Sequence, residues 1–415
     1  MTNTYKNVNI DVISKDELPD NPQTFSTSLT LLRDAKQICI CHMGFRFDSY
    51  FGLCGHLCSY CYANGQKARL HTDYVRDIRV ADIDGLKETF FNAFNNNTNN
   101  VIANCIKEKY PIRCGTQTDC FMVAEEKYGI TYRFIDEVMN VWNYPYLICT
   151  KNKMVADDKY LKLYEKGNGN CAFQFTLSTL NEDYLSKIER GASTAKERLD
   201  AMKTLSDNGY RVICRISPYI PEYMNDLDEL VKELSAHGCN HIISELLRVT
   251  PIINNIMIQE TGYDVIKLYK SKGVKMTGGY YRYPLKEKIE IQRRLKELCD
   301  KYGMTFATCG DEDPSFHTTT MCCGLEGLKN FENVPYCTYD TMFRIAKEKG
   351  VVKLDDMFEY YCADKKEFIR QWESGYFVQV IMNVEYDRRN NVYRYTEMNN
   401  FTNHSYYNDG QLTLF

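Results

Sequence analysis

Residues 54–61 read Cys54-Gly-His-Leu-Cys58-Ser-Tyr-Cys61, which places three thiols at C-x3-C-x2-C spacing on one short segment. The segment Gln37–His42 just upstream is apolar and β-prone between polar flanks. This pattern predicts a short buried strand that leads into a loop carrying the thiols. Three thiolates on one loop can hold three corners of a cubane iron–sulfur cluster, which leaves one iron open to a substrate or cofactor.

A zinc site and buried structural thiols are the alternatives for this loop. Structural zinc sites usually have four ligands, commonly as two separated pairs. The sequence around Cys54–Cys61 contains no second pair with finger-like spacing. The loop therefore favours a cluster over zinc, as a hypothesis based on a motif.

Composition sets the broad class of the protein. Of 415 residues, 44% are hydrophobic and 26% charged, which is typical of a globular protein large enough for a catalytic domain plus an appendage. Apolar runs stay well short of about 20 residues, and the start of the chain lacks a signal pattern, so we expect no membrane span and no secretion. The 18 cysteines then predict a reducing cytoplasm and metal ligation rather than disulfides. The net charge of −4 gives no global nucleic-acid signature, so such a contact needs a local patch.

Strand and helix patterns alternate along most of the chain. The predicted strands are Tyr110–Gly115, Tyr146–Thr150, Ala172–Ser178, Arg211–Ser217, His241–Leu246 and, as a further member, Met304–Cys309. The predicted helices are Ile83–Phe94, Thr131–Trp142, Asp157–Tyr164, Thr194–Asn208, Asp226–Ala236 and Lys286–Lys301. This alternation indicates a parallel sheet covered by helices. Together with the strand before the thiols, it predicts an α/β fold, a partial (β/α)6 TIM-type barrel with its chemistry at the carboxyl ends of the strands.

Four regions follow from this pattern. They are a lead-in at residues 1–36, the barrel at 37–308, a small Cys-containing α+β extension at 309–400 and a polar, flexible tail at 401–415. In the extension, Phe377–Asp387 and Val392–Asn399 flank Arg388–Asn391, which predicts a β-hairpin.

The thiol loop resembles the signature of the radical S-adenosylmethionine (SAM) enzymes, which have an aromatic residue, here Tyr60, before the third cysteine. In that family, SAM chelates the open iron of a [4Fe–4S] cluster through its amino and carboxylate groups. An electron from the cluster cleaves SAM to a 5′-deoxyadenosyl radical, which abstracts hydrogen from the substrate, while the protein binds, orients and excludes water. The resemblance implies a [4Fe–4S] cluster on Cys54, Cys58 and Cys61, SAM as cofactor, and an electron donor such as flavodoxin or ferredoxin.

Ordered matches over roughly residues 37–250 resemble the spore photoproduct lyase-like branch of this family, which acts in DNA repair. The matching segments are Cys114–Asp119 with Glu125, Thr131 and Arg133; Ile148–Lys151; Phe175–Ser178; Ile188–Ala192 with Arg198 and Leu199; and Ile216–Pro221 with Asn225. Order and spacing together are more specific than a single motif. Two departures are Tyr132, which splits the Thr-Arg pair, and Arg190, which replaces a proline. Glu189 and Arg198 can form a structural ion pair as readily as a site.

The resemblance assigns a group of residues to SAM, namely Tyr60, Thr118, Asp119, Lys151 and Ser178. Simpler interpretations exist for most of them. Ser178 at a strand end can hydrogen-bond a ribose or carboxylate, or it is a solvated hydroxyl. Lys151 either pairs with the SAM carboxylate or is an ordinary surface lysine. Thr118 and Asp119 either bind the SAM amino group or cap the following helix.

A further departure concerns the hydrogen donor. In spore photoproduct lyases, a cysteine three residues before the turn aspartate returns a hydrogen atom to the product radical, and here that position is Thr116. Cys114 and Cys120 flank the turn, and on a strand Cys114 and Thr116 share a face. Cys114, Cys120 and Thr116 are therefore the candidate catalytic residues, with Cys114 expected to point at the site one pleat deeper. The departure argues against repair of the spore photoproduct itself and leaves the radical machinery intact.

A second cysteine group lies beyond the barrel, at Cys309, Cys322, Cys323 and Cys337. Four thiols from loops could hold an auxiliary iron–sulfur cluster or a zinc ion, with His317 as a substitute ligand. The alternative is a set of free thiols, because such wide spacing is weakly diagnostic.

Residues 267–296 form a locally basic run. Its ten cations are accompanied only by Glu287 and Glu290, and the segment Tyr280–Tyr283 contributes three tyrosines. Cations that neutralise phosphates and aromatic rings that stack on bases indicate a nucleic-acid surface. The alternative is a solvated helix face.

The last five residues, Gln411-Leu-Thr-Leu-Phe415, closely resemble the bacterial sliding-clamp-binding motif, which is found at the ends of DNA repair and replication proteins. Leu412, Leu414 and Phe415 would fill an apolar groove while Gln411 hydrogen-bonds its rim. The alternative is that the tail folds back as an edge strand on the hairpin. Clamp binding would raise the local DNA concentration without a strongly basic surface.

Three hypotheses follow. The first is a cytoplasmic radical SAM enzyme that acts on DNA, in repair or base modification. The second is a radical SAM enzyme that modifies a peptide or small molecule with an auxiliary cluster. The third is a non-catalytic, metal-stabilised DNA-associated binding protein, which predicts no SAM cleavage.

Overall fold

The computed structural model describes residues 11–26, 30–31, 45–52, 54–65, 78–96, 98–309, 314–319, 321–331, 339–358, 365–375 and 384–396. The predicted strand Gln37–His42, the thiol of Cys337 and the tail 401–415 lie outside these residues. Across the part of the chain so described, none of the helices has the length and apolarity to cross a membrane.

The strands form one large sheet and two small ones. In chain order they are β1 Gln23–Phe25, β2 Thr30–Leu31, β3 Phe45–Phe47, β4 Tyr50–Phe51, β5 Arg79–Ala81, β6 Ile112–Cys114, β7 Tyr146–Thr150, β8 Cys171–Thr176, β9 Arg211–Tyr219, β10 His241–Leu246, β11 Thr305–Thr308, β12 Val351–Lys353, β13 Val384–Asp387 and β14 Val392–Tyr395. The large sheet has the order β11-β10-β9-β8-β7-β6-β3-β2, with β2 antiparallel and the other seven strands parallel.

The partial TIM-type barrel predicted from the alternation of strands and helices is confirmed. The bounds of β7 and β10 agree with the prediction to the residue. The further strand predicted at Met304–Cys309 is present as β11, which makes seven parallel strands rather than six. The parallel strand that precedes the thiols in the structure is β3, which lies downstream of the segment predicted from the sequence.

Helices lie between the parallel strands, as the pattern predicted. They are Ile83–Asn95, Val101–Lys107, Val123–Tyr128, Ile130–Phe134, Asp158–Lys166, Glu182–Ile188, Ala195–Asp207, Leu227–Ala236, Pro251–Thr261, Val265–Ser271 and Leu285–Tyr302. Local sequence fixes several starts: Thr194 and Glu197 form a capping box at the start of one helix. The predicted helix Thr131–Trp142 instead passes from an α-helix into a wider π-helical turn at Ile135–Met139.

The two faces of the large sheet are covered by different parts of the chain. On the outer face, Ile148, Phe173 and Cys214 belong to the main apolar core with the helices. The inner face, which includes Leu147 and Ile213, packs against the segment 321–331. Strand alternation sorts the side chains, because neighbours in sequence point to opposite faces.

The segment 321–331 closes the amino-terminal end of the barrel. Arg211, the first residue of β9, donates to the Glu326 carbonyl at 3.2 Å. His241, the first residue of β10, has its Nε2 2.9 Å from the Cys322 carbonyl oxygen. Both contacts lie where strands begin, so the opposite, carboxyl-terminal end is left for the site.

The last part of the described chain has its own small core. The helices Tyr339–Lys349, Leu354–Phe358 and Lys365–Glu373 accompany the antiparallel sheet β12-β14-β13. Trp372 and Tyr393 are fully buried in it, and Trp372 Nε1 donates to the Asn391 carbonyl at 3.0 Å. The pairing of β13 with β14 confirms the predicted hairpin around Arg388–Asn391.

Candidate cofactor site

The thiol loop consists of two successive tight turns. The Leu57 N–H donates to the Cys54 carbonyl and the Cys61 N–H to the Cys58 carbonyl, both at 3.1 Å. Leu57 has φ 47°, a left-handed conformation that is uncommon for a leucine. Cys58 is buried, while Cys54 and Cys61 are partly exposed. Burial raises the pKa of the Cys54 thiol to about 11 and that of Cys58 well above its usual value.

A second segment holds this loop from behind. Cys58 forms an antiparallel bridge with Glu189, and the Gly191 N–H donates to the His56 carbonyl at 3.1 Å. A Cβ at position 191 would lie 2.0 Å from the Gly55 carbonyl oxygen, so only glycine fits this approach. The segment Ile188–Ala192, which matched the family pattern in the sequence, thus supports the thiol loop.

Asp119, which follows β6, ties the end of β7 to the same loop. Its Oδ1 accepts a hydrogen bond from Thr150 Oγ1 at 2.8 Å, and its Oδ2 accepts one from the Lys151 N–H at 2.7 Å. His56 Nε2 lies 2.9 Å from Oδ2, and the Asp119 N–H points at Cys54 Sγ, 3.4 Å away. Burial by itself raises the pKa of Asp119, but the charge and hydrogen bond of His56 prevail and lower it to about 2.

The turn before Asp119 is organised by a residue that the sequence analysis missed, Asp48. One of its oxygens, Oδ1, accepts the N–H groups of Thr116 and Gln117 at 2.8 Å and that of Thr118 at 3.2 Å. The hydroxyl of Thr116 donates to Oδ2 at 2.6 Å. An aspartate directly after an apolar strand segment, Phe45–Phe47, was the available signal.

The expected shared face of Cys114 and Thr116 is wrong. Strand β6 ends at Cys114, and Gly115 with φ 81° turns the chain, so alternation does not extend to Thr116. Cys114 lies with Ile112 in the main core on the outer face of the sheet. Cys120 is also fully buried in that core, and burial raises the pKa of both thiols. The structure therefore brings the two flanking cysteines together beneath the turn rather than in the barrel interior.

Lys151 is half-buried beside the thiol loop rather than on the open surface. Its ammonium group lies 5.9 Å from the centre of the Tyr60 ring. Burial by itself lowers the pKa of Lys151, but its electrostatic interactions with Cys58, Glu189 and Asp119 prevail and raise it. The Tyr60 hydroxyl donates to the Glu189 carboxylate, which links the aromatic residue of the thiol motif to the supporting segment.

Glu189 and Arg198 form a buried ion pair, which was one of the two alternatives for them. Arg198 Nη2 lies 2.5 Å from Glu189 Oε2, and neither side chain exposes more than 2% of its surface. Arg198 Nη1 also donates to the Thr176 carbonyl at the end of β8, at 2.9 Å. The pair thus fixes the thiol-loop support to the strand that leads to Ser178.

Ser178 supplies a buried polar group without a partner. Its side chain is 3% exposed, and its Oγ has no hydrogen-bond partner among the described residues. In contrast, the hydroxyl of Thr118 is satisfied by the Tyr50 carbonyl at 2.7 Å. A buried hydroxyl with no protein partner is one that a ligand can satisfy.

The described members of the second cysteine group, Cys309, Cys322 and Cys323, all contact one apolar cluster on the inner face of the sheet. Cys322 and Cys323 are buried in the segment that closes the amino-terminal end, whereas Cys309 follows β11 at the carboxyl-terminal end. His317 Nε2 lies 2.8 Å from Thr308 Oγ1. Within the ranges described above, no three His, Cys, Asp or Glu side chains are arranged to hold one metal ion. That finding concerns a single ion such as zinc, because the thiolates of a cubane bind separate irons.

The basic run 267–296 is more neutralised than its own sequence suggested. Three of its cations pair with carboxylates that lie outside residues 267–296. These pairs are Lys272 with Glu222 at 2.9 Å, Arg294 with Asp228 at 3.2 Å and Lys296 with Asp300 at 2.6 Å. Glu287 and Glu290, the two acids within the run, are therefore not its only partners, because acids before and after the run also pair with its cations. The remaining patch is smaller: Lys267, Lys270 and Lys275 are exposed, and Lys270 lies 5.6 Å from the Tyr281 ring centre.

Comparison with known proteins agrees with this architecture. A spore photoproduct lyase complexed with dinucleoside spore photoproduct superimposes with a TM-score of 0.51 and 18% sequence identity, over 67% of this chain and 81% of that chain. A variant of the lyase with bound AdoMet and dinucleoside spore photoproduct gives the same TM-score and identity over 66% and 79%. The protein therefore has the fold of spore photoproduct lyase.

Sequence comparison reaches less of the chain. No family model matches it. The uncharacterized protein ORF301 of Acidianus two-tailed virus is 28% identical over 108 residues, which is 25% of this chain. The matched part spans about a third of that curated relative, 35% of its length.

Proposed function

We propose that this protein is a radical SAM enzyme with a [4Fe–4S] cluster on Cys54, Cys58 and Cys61. The observation that carries the proposal is the position of the three-thiol loop at the carboxyl ends of the parallel strands. There it contacts Asp119 after β6 and lies close to Lys151 after β7. The fit to SAM rests on the unpartnered buried hydroxyl of Ser178.

The chemistry that a bound cluster and SAM would supply is one-electron reductive cleavage followed by hydrogen abstraction from a substrate. The chain's own residues prepare for it. Lys151 offers a cation to the SAM carboxylate and Ser178 a hydroxyl to the ribose or carboxylate. Asp119, with His56, keeps the turn and the thiol loop in one fixed arrangement. The apolar core around the site excludes water.

DNA is the proposed substrate, in repair or base modification. The fold neighbour was solved with a dinucleoside spore photoproduct, and the exposed cations Lys267, Lys270 and Lys275 accompany Tyr281 on this chain. That surface joins the barrel at its carboxyl end, because the Val249 N–H donates to the Tyr281 carbonyl at 3.0 Å shortly after β10. Such cation–aromatic surfaces bind single strands by neutralising phosphates and stacking on bases.

Activity is tested on anaerobically reconstituted protein. With reductant and SAM it should yield 5′-deoxyadenosine, and replacing Cys54, Cys58 and Cys61 together by Ala should abolish that product. Cys105→Ala, which alters a buried cysteine of the main core, is the matched control and should retain it. Equal product from the triple variant and wild type would overturn the mechanism.

Mass spectrometry of nucleosides after incubation with defined single-stranded or duplex DNA then tests the substrate.

Delivery to DNA by the sliding clamp is a separate part of the proposal. It rests on the resemblance of Gln411–Phe415 to the clamp-binding motif. The full chain should bind bacterial clamp in a titration, and a variant lacking residues 411–415 should lose measurable binding. Equal affinity of the two, or binding by neither, would remove the clamp from the proposal.

A further inference from the structure

The last described part of the chain has its own order of helices and strands. This carboxyl-terminal module comprises the described residues of 339–396. It runs from the helix Tyr339–Lys349 through β12 to two consecutive helices, Leu354–Phe358 and Lys365–Glu373, and then to the hairpin β13–β14. In its sheet, β14 lies in the middle and pairs antiparallel with both β12 and β13. This is the connectivity of a winged helix-turn-helix, in which the second of two consecutive helices enters the major groove of DNA. A fold does not by itself define a function, so the surface of the module decides whether it can bind DNA.

The helix Lys365–Glu373 buries one side in the core of the module. Phe368 and Trp372, four residues apart and therefore on one side of the helix, are fully buried. Arg370 and Glu373 are exposed. The nine residues of this helix include three cations and two carboxylates, which leaves a net charge of plus one. A helix about 10–12 Å across fits the major groove, which is about 12 Å wide, and can carry an exposed arginine into it.

The turn of the hairpin presents two further arginines. Asp387 orders this turn, because its Oδ1 accepts hydrogen bonds from the N–H groups of Arg389 at 3.1 Å and Asn390 at 3.3 Å. Its Oδ2 accepts one from Arg394 Nη2 at 3.0 Å, so the carboxylate of the turn is already neutralised. The side chains of Arg388 and Arg389 are exposed, and neither forms an ion pair within the described residues. Two exposed cations at the end of a hairpin are placed to contact phosphates.

Hydrogen bonds fix the hairpin to the carboxyl end of the helix. Trp372 Nε1 donates to the Asn391 carbonyl at 3.0 Å, and the Tyr393 hydroxyl donates to the Trp372 carbonyl at 2.9 Å. The Tyr386 hydroxyl donates to the Glu373 carbonyl at 3.2 Å. Because helix and hairpin are joined at three places, the arginines of the turn keep a fixed position relative to the helix. Little ordering is then needed when both bind one rigid partner.

We propose that the carboxyl-terminal module binds duplex DNA, with the exposed side of helix Lys365–Glu373 in the major groove and Arg388 and Arg389 on the phosphates beside it. The guanidinium fork matches phosphate oxygens, and phosphate contacts position a helix in its groove. The connectivity of the module favours duplex DNA over an acidic peptide, which offers anions as well but no groove for the helix. This contact is separate from the barrel and from residues 411–415, so it does not rest on the proposed function.

The test is a titration of a fluorescein-labelled DNA duplex with the reconstituted full chain, followed by fluorescence anisotropy at several salt concentrations. Replacing Arg388 and Arg389 together by Gln should lower the affinity about tenfold or more and reduce the slope of log K against log salt by about two, one for each lost phosphate contact. Arg370→Gln should lower the affinity about fivefold or more, since an arginine contact in the groove is lost. The matched control replaces Arg344 and Lys347, two exposed cations on the first helix of the module, by Gln and should leave affinity and slope unchanged.

The melting temperature of the variant lacking Arg388 and Arg389 should match wild type, because both side chains are exposed. Absence of duplex binding by wild type would overturn the proposal, as would an unchanged affinity and salt slope in this variant or an equal loss in the control. Displacement of the duplex by poly-glutamate at a lower concentration than by unlabelled duplex would assign the module to an acidic peptide instead. The titration contains neither SAM nor reductant. Loss of duplex binding with 5′-deoxyadenosine formation intact would therefore refute the module and leave the proposed enzyme standing, and the reverse result would do the opposite.

Discussion

The thiol loop Cys54–Cys61 and the pair Cys322 and Cys323 lie at opposite ends of the same barrel. Cys54, Cys58 and Cys61 lie on a loop that polar groups hold from two sides, with Asp119 on one and Glu189 on the other. Cys322 and Cys323 lie instead in a segment packed into the barrel among aliphatic side chains. The comparison separates two uses of cysteine: thiols positioned for a ligand by buried charges, and thiols placed among apolar groups.

The electrostatic surroundings sharpen the contrast. Near the first group, the buried Arg198 guanidinium pairs with the buried Glu189 carboxylate, and the buried Asp119 carboxylate accepts the Lys151 backbone N–H. Near the second group, the buried polar side chain is His241, and burial lowers its pKa to about 4, so it stays neutral. A neutral, apolar environment suits packing, whereas a network of buried charges is maintained only where its members are mutually satisfied.

The largest expected effect in this comparison is that of Gly191→Ala. The new Cβ would collide with the Gly55 carbonyl at 2.0 Å, so the supporting segment must move away from the thiol loop. We expect at least about a tenfold loss of 5′-deoxyadenosine formation, because small displacements of reacting groups are costly. Iron content per folded protein and product formation are the measurements. Circular dichroism must show an intact fold, and wild-type iron and activity in this variant would contradict the assigned role of the segment.

Sequence reasoning found the first group because its information is local. A short stretch of sequence is enough to recognise the spacing of Cys54, Cys58 and Cys61, and the same is true of the apolar strands β7 and β10. The contacts that build the site join residues far apart in sequence. Asp48 accepts a hydrogen bond from Thr116, 68 residues later, and Gly191 packs against Gly55 of the thiol loop.

An intermediate effect is expected from the same substitution at the other end of the barrel, Gly324→Ala. The Cβ would lie 2.3 Å from the ring of His241, and Gly324 has φ 60°, which disfavours any side chain. We expect a loss of about 2–4 kcal/mol in the free energy of unfolding, from overpacking together with backbone strain. Chemical denaturation measures it. The iron content of the folded fraction should match wild type, and a loss of iron here equal to that of Gly191→Ala would erase the distinction between the two ends.

The smallest effect is expected from Cys322→Ala with Cys323→Ala, and it decides what the second group does. As packed thiols in an apolar cluster, their removal leaves small cavities and should cost about 1–3 kcal/mol of stability. The auxiliary-site hypothesis makes a further prediction: the variant lacking Cys54, Cys58 and Cys61 should still bind iron or zinc, and adding these two substitutions should release it. Metal analysis of both variants is the measurement. Zero iron and zero zinc in the first variant would remove the auxiliary site. The contrast between the ends of the barrel would then be complete, with a ligand site at the carboxyl ends of the strands and packing at their amino ends.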